Sequence, residues 1–197
     1  MHNRIPAVAA LVLLTVSCSL YPPASDSTLD RMAHETSTAG PSAVEFVEAR
    51  FHQHHARLSP QEIRDVSETI VRESQDNQVP WDLVLAVIQT ESGYFNFAVS
   101  HVGALGLMQI MPATGAHLAA KQDLPWKGAE TTLFEPVENV QMGVRYLSEL
   151  HDRYDDWDRA LAAYNWGPGR IDSRIRRGVA VPVGYVQAVR SRVLKPL

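Results

Sequence analysis

The chain of 197 residues has a single cysteine, Cys18, and so cannot form a disulfide within itself. Basic residues are also few, because 18 Lys and Arg stand against 22 Asp and Glu and leave a formal net charge of −4. Nucleic-acid-binding domains usually carry a basic face, and the short cluster Arg174, Arg176 and Arg177 does not supply one. The composition predicts one core held together by side-chain burial, with no nucleic acid as a partner.

Long apolar runs are missing as well, apart from one near the N-terminus. Residues 5–16 are almost wholly apolar, follow a basic N-terminus and precede the first acidic residue, Asp26. A run of about 12 residues is too short to span a bilayer comfortably, whereas a short apolar core after positive charge is typical of an export signal. We therefore expect residues 1–17 to be a signal peptide and not part of the fold.

The end of this run, Leu14 to Cys18, resembles the lipobox of bacterial lipoproteins, in which cleavage leaves an acylated cysteine as the mature N-terminus. Thr15 stands where that motif usually has Leu, so a plain secretory signal with an incidental cysteine is the alternative. Either alternative places the mature protein outside the cytoplasm. The lipobox further predicts a lipid on Cys18, and Ser19 is compatible with sorting to the outer membrane.

The rest of the chain divides into a tether and a helical domain. Residues 18–42 are rich in Ser, Thr, Pro and Ala and predict a flexible tether, whereas residues 43–197 carry helical signals throughout. Ser59 to Glu62 form a capping box, further helices should open near Pro80 and Pro136, and Asp156 should cap another. Because no two segments show the alternation of a substantial sheet, we expect a mainly α single domain with little or no sheet.

Three histidines lie close together on the first predicted helix, at His52, His54 and His55. A metal site is conceivable there, but no suitably spaced carboxylate supports it. A solvated polar face is the favoured interpretation, and no metal site is expected.

The stretch WDLVLAVIQTESGYF places a carboxylate, Glu91, where helical periodicity calls for an apolar side chain. Glu91 follows Val84, Val87 and Ile88 by seven, four and three residues, so it should face inward with them. It also stands at the helix C-terminus, just before Gly93, where the dipole is negative. Burial and dipole together predict a raised pKa for this carboxyl. Alternatively, Glu91 pairs with a nearby Arg or Lys, or turns to solvent.

The loop that follows is apolar and rich in glycine, and it carries one amide side chain, Gln109. Glycines allow a ligand to approach the backbone closely, and an amide both donates and accepts hydrogen bonds to an uncharged, hydroxylated substrate such as a sugar. The alternative is a buried loop in which the backbone satisfies Gln109.

Several blocks of residues resemble the signature of the SLT-type lytic transglycosylases of peptidoglycan. The first half of the signature is matched by Glu91-Ser92-Gly93, Ala98-Val99-Ser100, Gly103-Ala104, Gly106-Leu107-Met108-Gln109 and Met111-Pro112-Ala113-Thr114. The second half is matched by Phe134, Pro136, Asn139, Gly143, Tyr146-Leu147, Ala160-Leu161-Ala162-Ala163-Tyr164-Asn165 and Gly167-Pro168-Gly169. The resemblance covers residues 80–189 and implies a lysozyme-like helical domain of the goose-type or SLT kind.

The resemblance also implies roles for individual residues. Glu91 would be the one catalytic acid and base, protonating the glycosidic oxygen and then accepting the proton of the C6 hydroxyl, so that a 1,6-anhydromuramoyl end forms without water. No metal, nucleotide or redox cofactor is required. Substrate would be peptidoglycan glycan strands, bound by Ser92, Met108, Gln109, Tyr164 and Asn165, with the Tyr164 phenol near Glu91. Taken alone, Tyr164 is equally well a core aromatic at a helix end.

The chain departs from the family pattern at three places. Phe95-Asn96 replaces a common Asn-Pro pair, Trp166 replaces the usual alanine, and the acidic residue expected shortly before Tyr185 is missing. These departures leave the roles of Trp166 and Tyr185 unassigned. The rival functions are a lysozyme-like peptidoglycan hydrolase and a non-catalytic glycan-binding lipoprotein, with envelope-assembly partners unknown.

Overall fold

The computed structural model describes residues 42–193. The predicted signal peptide, the lipidation site Cys18 and nearly all of the predicted tether lie outside the described residues. Within residues 42–193 there are nine α-helices, none of them long and apolar enough to cross a membrane. In chain order they are α1 Ala43–Gln53, α2 Pro60–Asp76, α3 Trp81–Glu91, α4 Pro112–Gln122, α5 Ala129–Leu133, α6 Pro136–Tyr154, α7 Trp157–Trp166, α8 Pro168–Arg176 and α9 Gly184–Arg190.

The helices begin where the capping residues predict. Ser59 and Glu62 exchange hydrogen bonds in a capping box at the start of α2, and the side chain of Asp156 accepts from the backbone N–H of Arg159 at the start of α7. Proline at the first helical position opens α2 and α6, as predicted. These helix starts are therefore confirmed.

The residue that ends α7 also precedes a new helix. Gly167, with φ +81°, follows the last residue of α7, and α8 begins at the next residue, Pro168. The positive φ of glycine turns the chain, and proline is favourable at the first position of a helix, so the same short motif serves both functions.

The longest helix, α6, forms the centre of the domain and packs against α2 and α7. Helix α9 packs against α3 and α7, and α1 lies on α2. The inward stripe predicted for α3 is confirmed, because Val84, Val87 and Ile88 are fully buried. On α6, Val140, Val144 and Leu147 are fully buried at helical spacing. The helical periodicity of the sequence therefore located the core.

Residues 92–111, between α3 and α4, form an irregular segment whose pairing is limited to two isolated bridges, Val99 with Leu105 and Leu105 with Ile110. Asn139 of α6 fixes this segment: its Oδ1 accepts from the backbone N–H of Met108 at 2.8 Å, and its Nδ2 donates to the carbonyl of Leu105 at 3.0 Å. Gly106 fits against this amide with φ +81°, where an added Cβ would lie 2.3 Å from Asn139 Nδ2. The segment is thus held in one conformation directly over α6.

The placement of all three histidines on one helix is wrong. His52 belongs to α1, but the helix ends at Gln53, His54 caps it, and His55 has φ +51°. The ring of His54 stacks on Tyr94, with 4.4 Å between ring centroids. Among residues 42–193 no three His, Cys, Asp or Glu side chains are arranged to hold a metal ion.

Candidate active site

The Glu91 side chain lies where the apolar stripe of α3 would continue inward. Val84, Val87 and Ile88 of this stripe are fully buried, and Glu91, the last residue of the helix, is largely buried beside them. The helix stops because Gly93 takes φ +58°, while the backbone N–H of Ser92 still donates to the carbonyl of Ile88. The carboxyl is therefore held at a helix end, shielded from most of the solvent.

The closest polar partner of Glu91 comes from the far end of the domain. The hydroxyl of Tyr185, on α9, donates a hydrogen bond to Oε1 of Glu91 at 2.6 Å. The two residues are 94 positions apart, and α9 packs against α3 to bring them together. Tyr185 had no assigned role in the sequence. The only signal that could have singled it out is its position as the last tyrosine of the family pattern.

Burial raises the pKa of Glu91 from its ordinary value of 4.5 to about 7, and the hydrogen bond from Tyr185 lowers it in part. Desolvation disfavours the charged carboxylate, whereas a donor directed at the carboxylate stabilises it. Since the pKa lies near neutrality, both forms are populated there, which suits a group that must act as acid and base in turn.

Tyr164 of α7 also lies near this carboxyl. Its hydroxyl donates to the backbone carbonyl of Met108 at 2.8 Å, and its ring packs against Tyr146. Burial raises the pKa of Tyr164 well above its usual value, and the nearby charge of Glu91 raises it further. The phenol thus stays neutral near Glu91.

A pocket of about 250 Å³ opens beside Tyr164. Its side-chain lining combines aromatic rings with neutral polar groups, namely Tyr146, Tyr164, Trp166, Gln109, Thr114 and Asn165. The ring of Trp166 is 41% exposed, and the guanidinium of Arg170 lies 5.1 Å from its centroid. Such a lining suits a sugar, which offers hydroxyl and amide groups to polar side chains and a flat face to an aromatic ring.

The other predicted substrate residues occupy different environments. Ser92 is partly exposed and donates its hydroxyl to the carbonyl of Ile88 at 3.1 Å. The amide nitrogen of Gln109 donates hydrogen bonds to the carbonyls of Ala98 and Gly106, both at 2.9 Å, and so stabilises the loop. The residue also lines the pocket. Both alternatives raised for Gln109 therefore describe part of its environment.

Met108 lies in the core, whereas the resemblance implied contact with substrate. Its side chain is fully buried, and a Cβ added at Gly143 would come within 2.4 Å of its sulfur. In this conformation the side chain cannot touch a ligand. Met108 contributes instead through its backbone, which accepts from Tyr164 and donates to Asn139.

A protein-family model described as the transglycosylase SLT domain matches residues 68–180. This match covers more than half of the chain, and the chain therefore belongs to the SLT transglycosylase family. The predicted family and the predicted helical, lysozyme-like fold class are thereby confirmed.

Curated relatives agree with the family over part of their length. The chain is 33% identical over 102 residues to the soluble lytic murein transglycosylase of Escherichia coli, a match covering 51% of this chain and 16% of the relative. It is 35% identical over 98 residues to the membrane-bound lytic murein transglycosylase C of Histophilus somni, covering 45% and 27%. A transglycosylase of the Enterobacteria phage PRD1 is 36% identical over 121 residues, covering 55% and 42%. The chain thus matches less than half the length of each of these relatives.

Solved structures show the same fold. An inactive glutamate-to-glutamine mutant of the lytic transglycosylase Slt from Pseudomonas aeruginosa has a TM-score of 0.53 at 25% identity, covering 83% of this chain and 27% of that one. The 70-kDa soluble lytic transglycosylase of Escherichia coli has a TM-score of 0.56 at 20% identity, covering 85% and 32%.

The raised pKa of Glu91 predicts how the substitution Glu91→Gln changes stability with pH. Below about pH 4.5 the carboxyl is protonated in both the folded and unfolded states, so it costs nothing there. As the pH rises through about 7, the unfolded state ionises first, and the wild type loses up to about 3 kcal/mol of its free energy of unfolding. The glutamine variant has no such loss. Its advantage over wild type in urea unfolding should therefore grow between about pH 5 and about pH 8.

The matched control for this measurement is Glu130→Gln, at an exposed glutamate of α5. It should change the free energy of unfolding by less than about 0.5 kcal/mol at either pH. An equal stability difference for Glu91→Gln at both pH values would show that the carboxyl is not held in its protonated form by burial.

Proposed function

We propose that this protein is a lytic transglycosylase that cleaves the β-1,4 bond between N-acetylmuramic acid and N-acetylglucosamine in peptidoglycan. The cleavage consumes no water and leaves a 1,6-anhydromuramoyl end. Membership of the SLT family and similarity to lytic murein transglycosylases support this class of reaction. The observation that carries the proposal is one shielded carboxyl, Glu91, whose pKa is raised to about 7. It lies near Tyr164, which also lines a pocket suited to a sugar.

The reaction needs two proton transfers at one position. Glu91 in its acid form donates its proton to the glycosidic oxygen as the bond from that oxygen to C1 breaks. The resulting carboxylate accepts the proton of the C6 hydroxyl of the N-acetylmuramic acid. The oxygen of this hydroxyl then bonds to C1 of the same sugar. Glu91 ends the cycle protonated, and no water enters. Attack by a hydroxyl of the same ring benefits from the high effective concentration of a tethered nucleophile.

The surroundings of Glu91 favour this scheme over a reaction with two carboxylates. Most glycosidases place a second Asp or Glu across the scissile bond as base or nucleophile. None of the described residues that line the pocket beside Tyr164 is a carboxylate, and the pKa of Glu91 is set by burial and Tyr185 instead of by a neighbouring acid. The acetamido group of the muramic acid would then stabilise the anomeric centre, as the family resemblance implies.

The remaining side chains would position the sugar. Asn165 and Gln109 line the pocket and would meet the acetamido and hydroxyl groups, and Ser92 would contact the sugar nearest Glu91. Tyr185 would stabilise Glu91 when it becomes anionic, because its hydroxyl already donates to the carboxyl. Tyr164 would support the floor of the site through its bond to the Met108 carbonyl.

Digestion of purified sacculi tests the reaction. The wild type should release muropeptides that are lighter by one water than the corresponding hydrolysis products, as measured by mass spectrometry. Glu91→Gln should lower the rate by at least about 100-fold, because an amide cannot donate and recover the proton. Reducing muramic acid ends would identify a hydrolase. Unchanged glycan binding with no release of fragments by the wild type would identify a binding protein.

The hydrogen bond from Tyr185 predicts a shift in the pH dependence of activity. Since this bond lowers the pKa of Glu91, Tyr185→Phe should raise that pKa above about 7 and keep the acid form populated to higher pH. The descending alkaline limb of kcat/KM against pH should therefore move upward. Tyr154→Phe removes a hydroxyl that bonds to Asp172 and Pro168, away from Glu91, and should leave the limb in place. A limb that stays fixed in Tyr185→Phe would contradict the assigned contact.

The cellular location is part of the same proposal. We place the mature protein in the cell envelope, at the periplasmic face of the outer membrane, anchored by a lipid on Cys18 and reaching the wall through residues 18–42. In cell fractionation Cys18→Ser should move the protein from the membrane fraction to the soluble fraction, while its sacculus-clearing activity in extracts stays unchanged. A wild-type protein already found in the soluble fraction would refute the anchor and leave the reaction untouched.

A further inference from the structure

A second pocket, of about 360 Å³, lies at the turn that follows Glu91. We call it the basic pocket. It is lined by His54, His55, Arg57, Gly93, Tyr94 and Phe95. Three of these residues come from the turn after α1 and three from the turn after α3, so the pocket forms where the two turns meet.

Aromatic packing holds these two turns together. Tyr94 is 1% exposed and lies between Phe51, whose ring meets it edge-on at 5.0 Å, and His54, whose ring stacks on it at 4.4 Å. Backbone hydrogen bonds fix the turn after α1 as well, because His55 donates to the carbonyl of His52 and Ala56 to that of Phe51. The basic pocket is therefore built into the fold, with little rearrangement needed to bind a ligand.

The charge in the basic pocket is positive and uncompensated. Arg57 is exposed, its guanidinium lies 5.7 Å from the centroid of the Phe95 ring, and no carboxylate of residues 42–193 forms a salt bridge with it. No carboxylate lines the pocket. His55, which is also exposed, lines the pocket beside Arg57. An arginine fork beside an exposed imidazole supplies donors that recognise a carboxylate.

The positions of these residues connect the basic pocket to the reaction. Gly93 follows Glu91 by two residues, so their Cα atoms are at most about 7.6 Å apart. The three basic residues, by contrast, precede residue 68, where the match to the family model begins. The pocket thus joins a part of the chain outside the matched family region to the turn that carries the catalytic motif.

We propose that the basic pocket binds a carboxylate of the peptide stem carried by the N-acetylmuramic acid next to the cleaved bond. This inference rests on the proposed function, since it takes peptidoglycan as the substrate. Each stem residue extends by about 3.5 Å, so the first residues of a stem on a sugar bound at Glu91 are long enough to reach the pocket. Arg57 forms the ion pair, His55 donates a hydrogen bond, and Phe95 covers the apolar part of the stem. The enzyme accordingly prefers peptide-bearing glycan to bare glycan.

The test compares two substrates that differ in the stem alone. Sacculus glycan with its peptides, and the same glycan after an amidase has removed them, are digested by wild type, Arg57→Ala and Arg57→Lys. Arg57→Ala should lower kcat/KM about tenfold on peptide-bearing glycan and change it less than about twofold on stripped glycan. Arg57→Lys keeps the charge and should recover part of the loss. The control Arg159→Ala removes an exposed arginine that lines none of these pockets and should behave as wild type on both substrates.

A binding measurement separates this inference from the reaction itself. In the Glu91→Gln background, the Kd for a disaccharide carrying a stem peptide should rise about tenfold on Arg57→Ala, by isothermal titration calorimetry, while the Kd for the disaccharide alone stays unchanged. An equal loss on both substrates, or no loss on either, overturns the stem pocket. Failure of the wild type to cleave either substrate overturns the proposed reaction, and the calorimetry still decides the pocket.

Discussion

The free-energy cost of keeping the Glu91 carboxyl away from water is the constraint on which the site depends. Burial at the end of α3 raises its pKa to about 7, and the Tyr185 hydroxyl stabilises the anion by donating a hydrogen bond to it at 2.6 Å. These two opposing influences leave the group able to give up a proton and recover it near neutral pH. A more exposed carboxyl would stay ionised there, and one buried without a donor would stay neutral.

The rest of the domain fixes the positions of this carboxyl and of the pocket. A chain of hydrogen bonds runs from Tyr164 to the Met108 carbonyl and from the Met108 N–H to Asn139, linking α7, the irregular segment and α6. Helix α9 closes the other side by bringing Tyr185 onto α3. Residues from five parts of the chain thereby meet at one position, which explains why the site needs most of the domain to form it.

The sequence predicted the features that local patterns encode. Helical periodicity put Glu91 on the inward face of α3, and capping residues located the starts of α2 and α7. It could not predict the contact between Tyr185 and Glu91, because no local pattern records a pair 94 positions apart. It also placed Met108 at the substrate, whereas the close approach of Gly143 shows that this side chain fills the core. The stacking of His54, the residue that caps α1, on Tyr94 likewise depends on tertiary packing.

The most direct test of this account is a titration of the Glu91 carboxyl in the folded wild-type protein. The side-chain carboxyl carbon can be labelled with ¹³C and followed by NMR against pH, with its signal assigned by its loss in Glu91→Gln. The account predicts a midpoint at about pH 7, set by burial and moderated by Tyr185. A midpoint near 4.5, the ordinary value for this side chain, would contradict it, because such a group would lack the proton that bond cleavage requires.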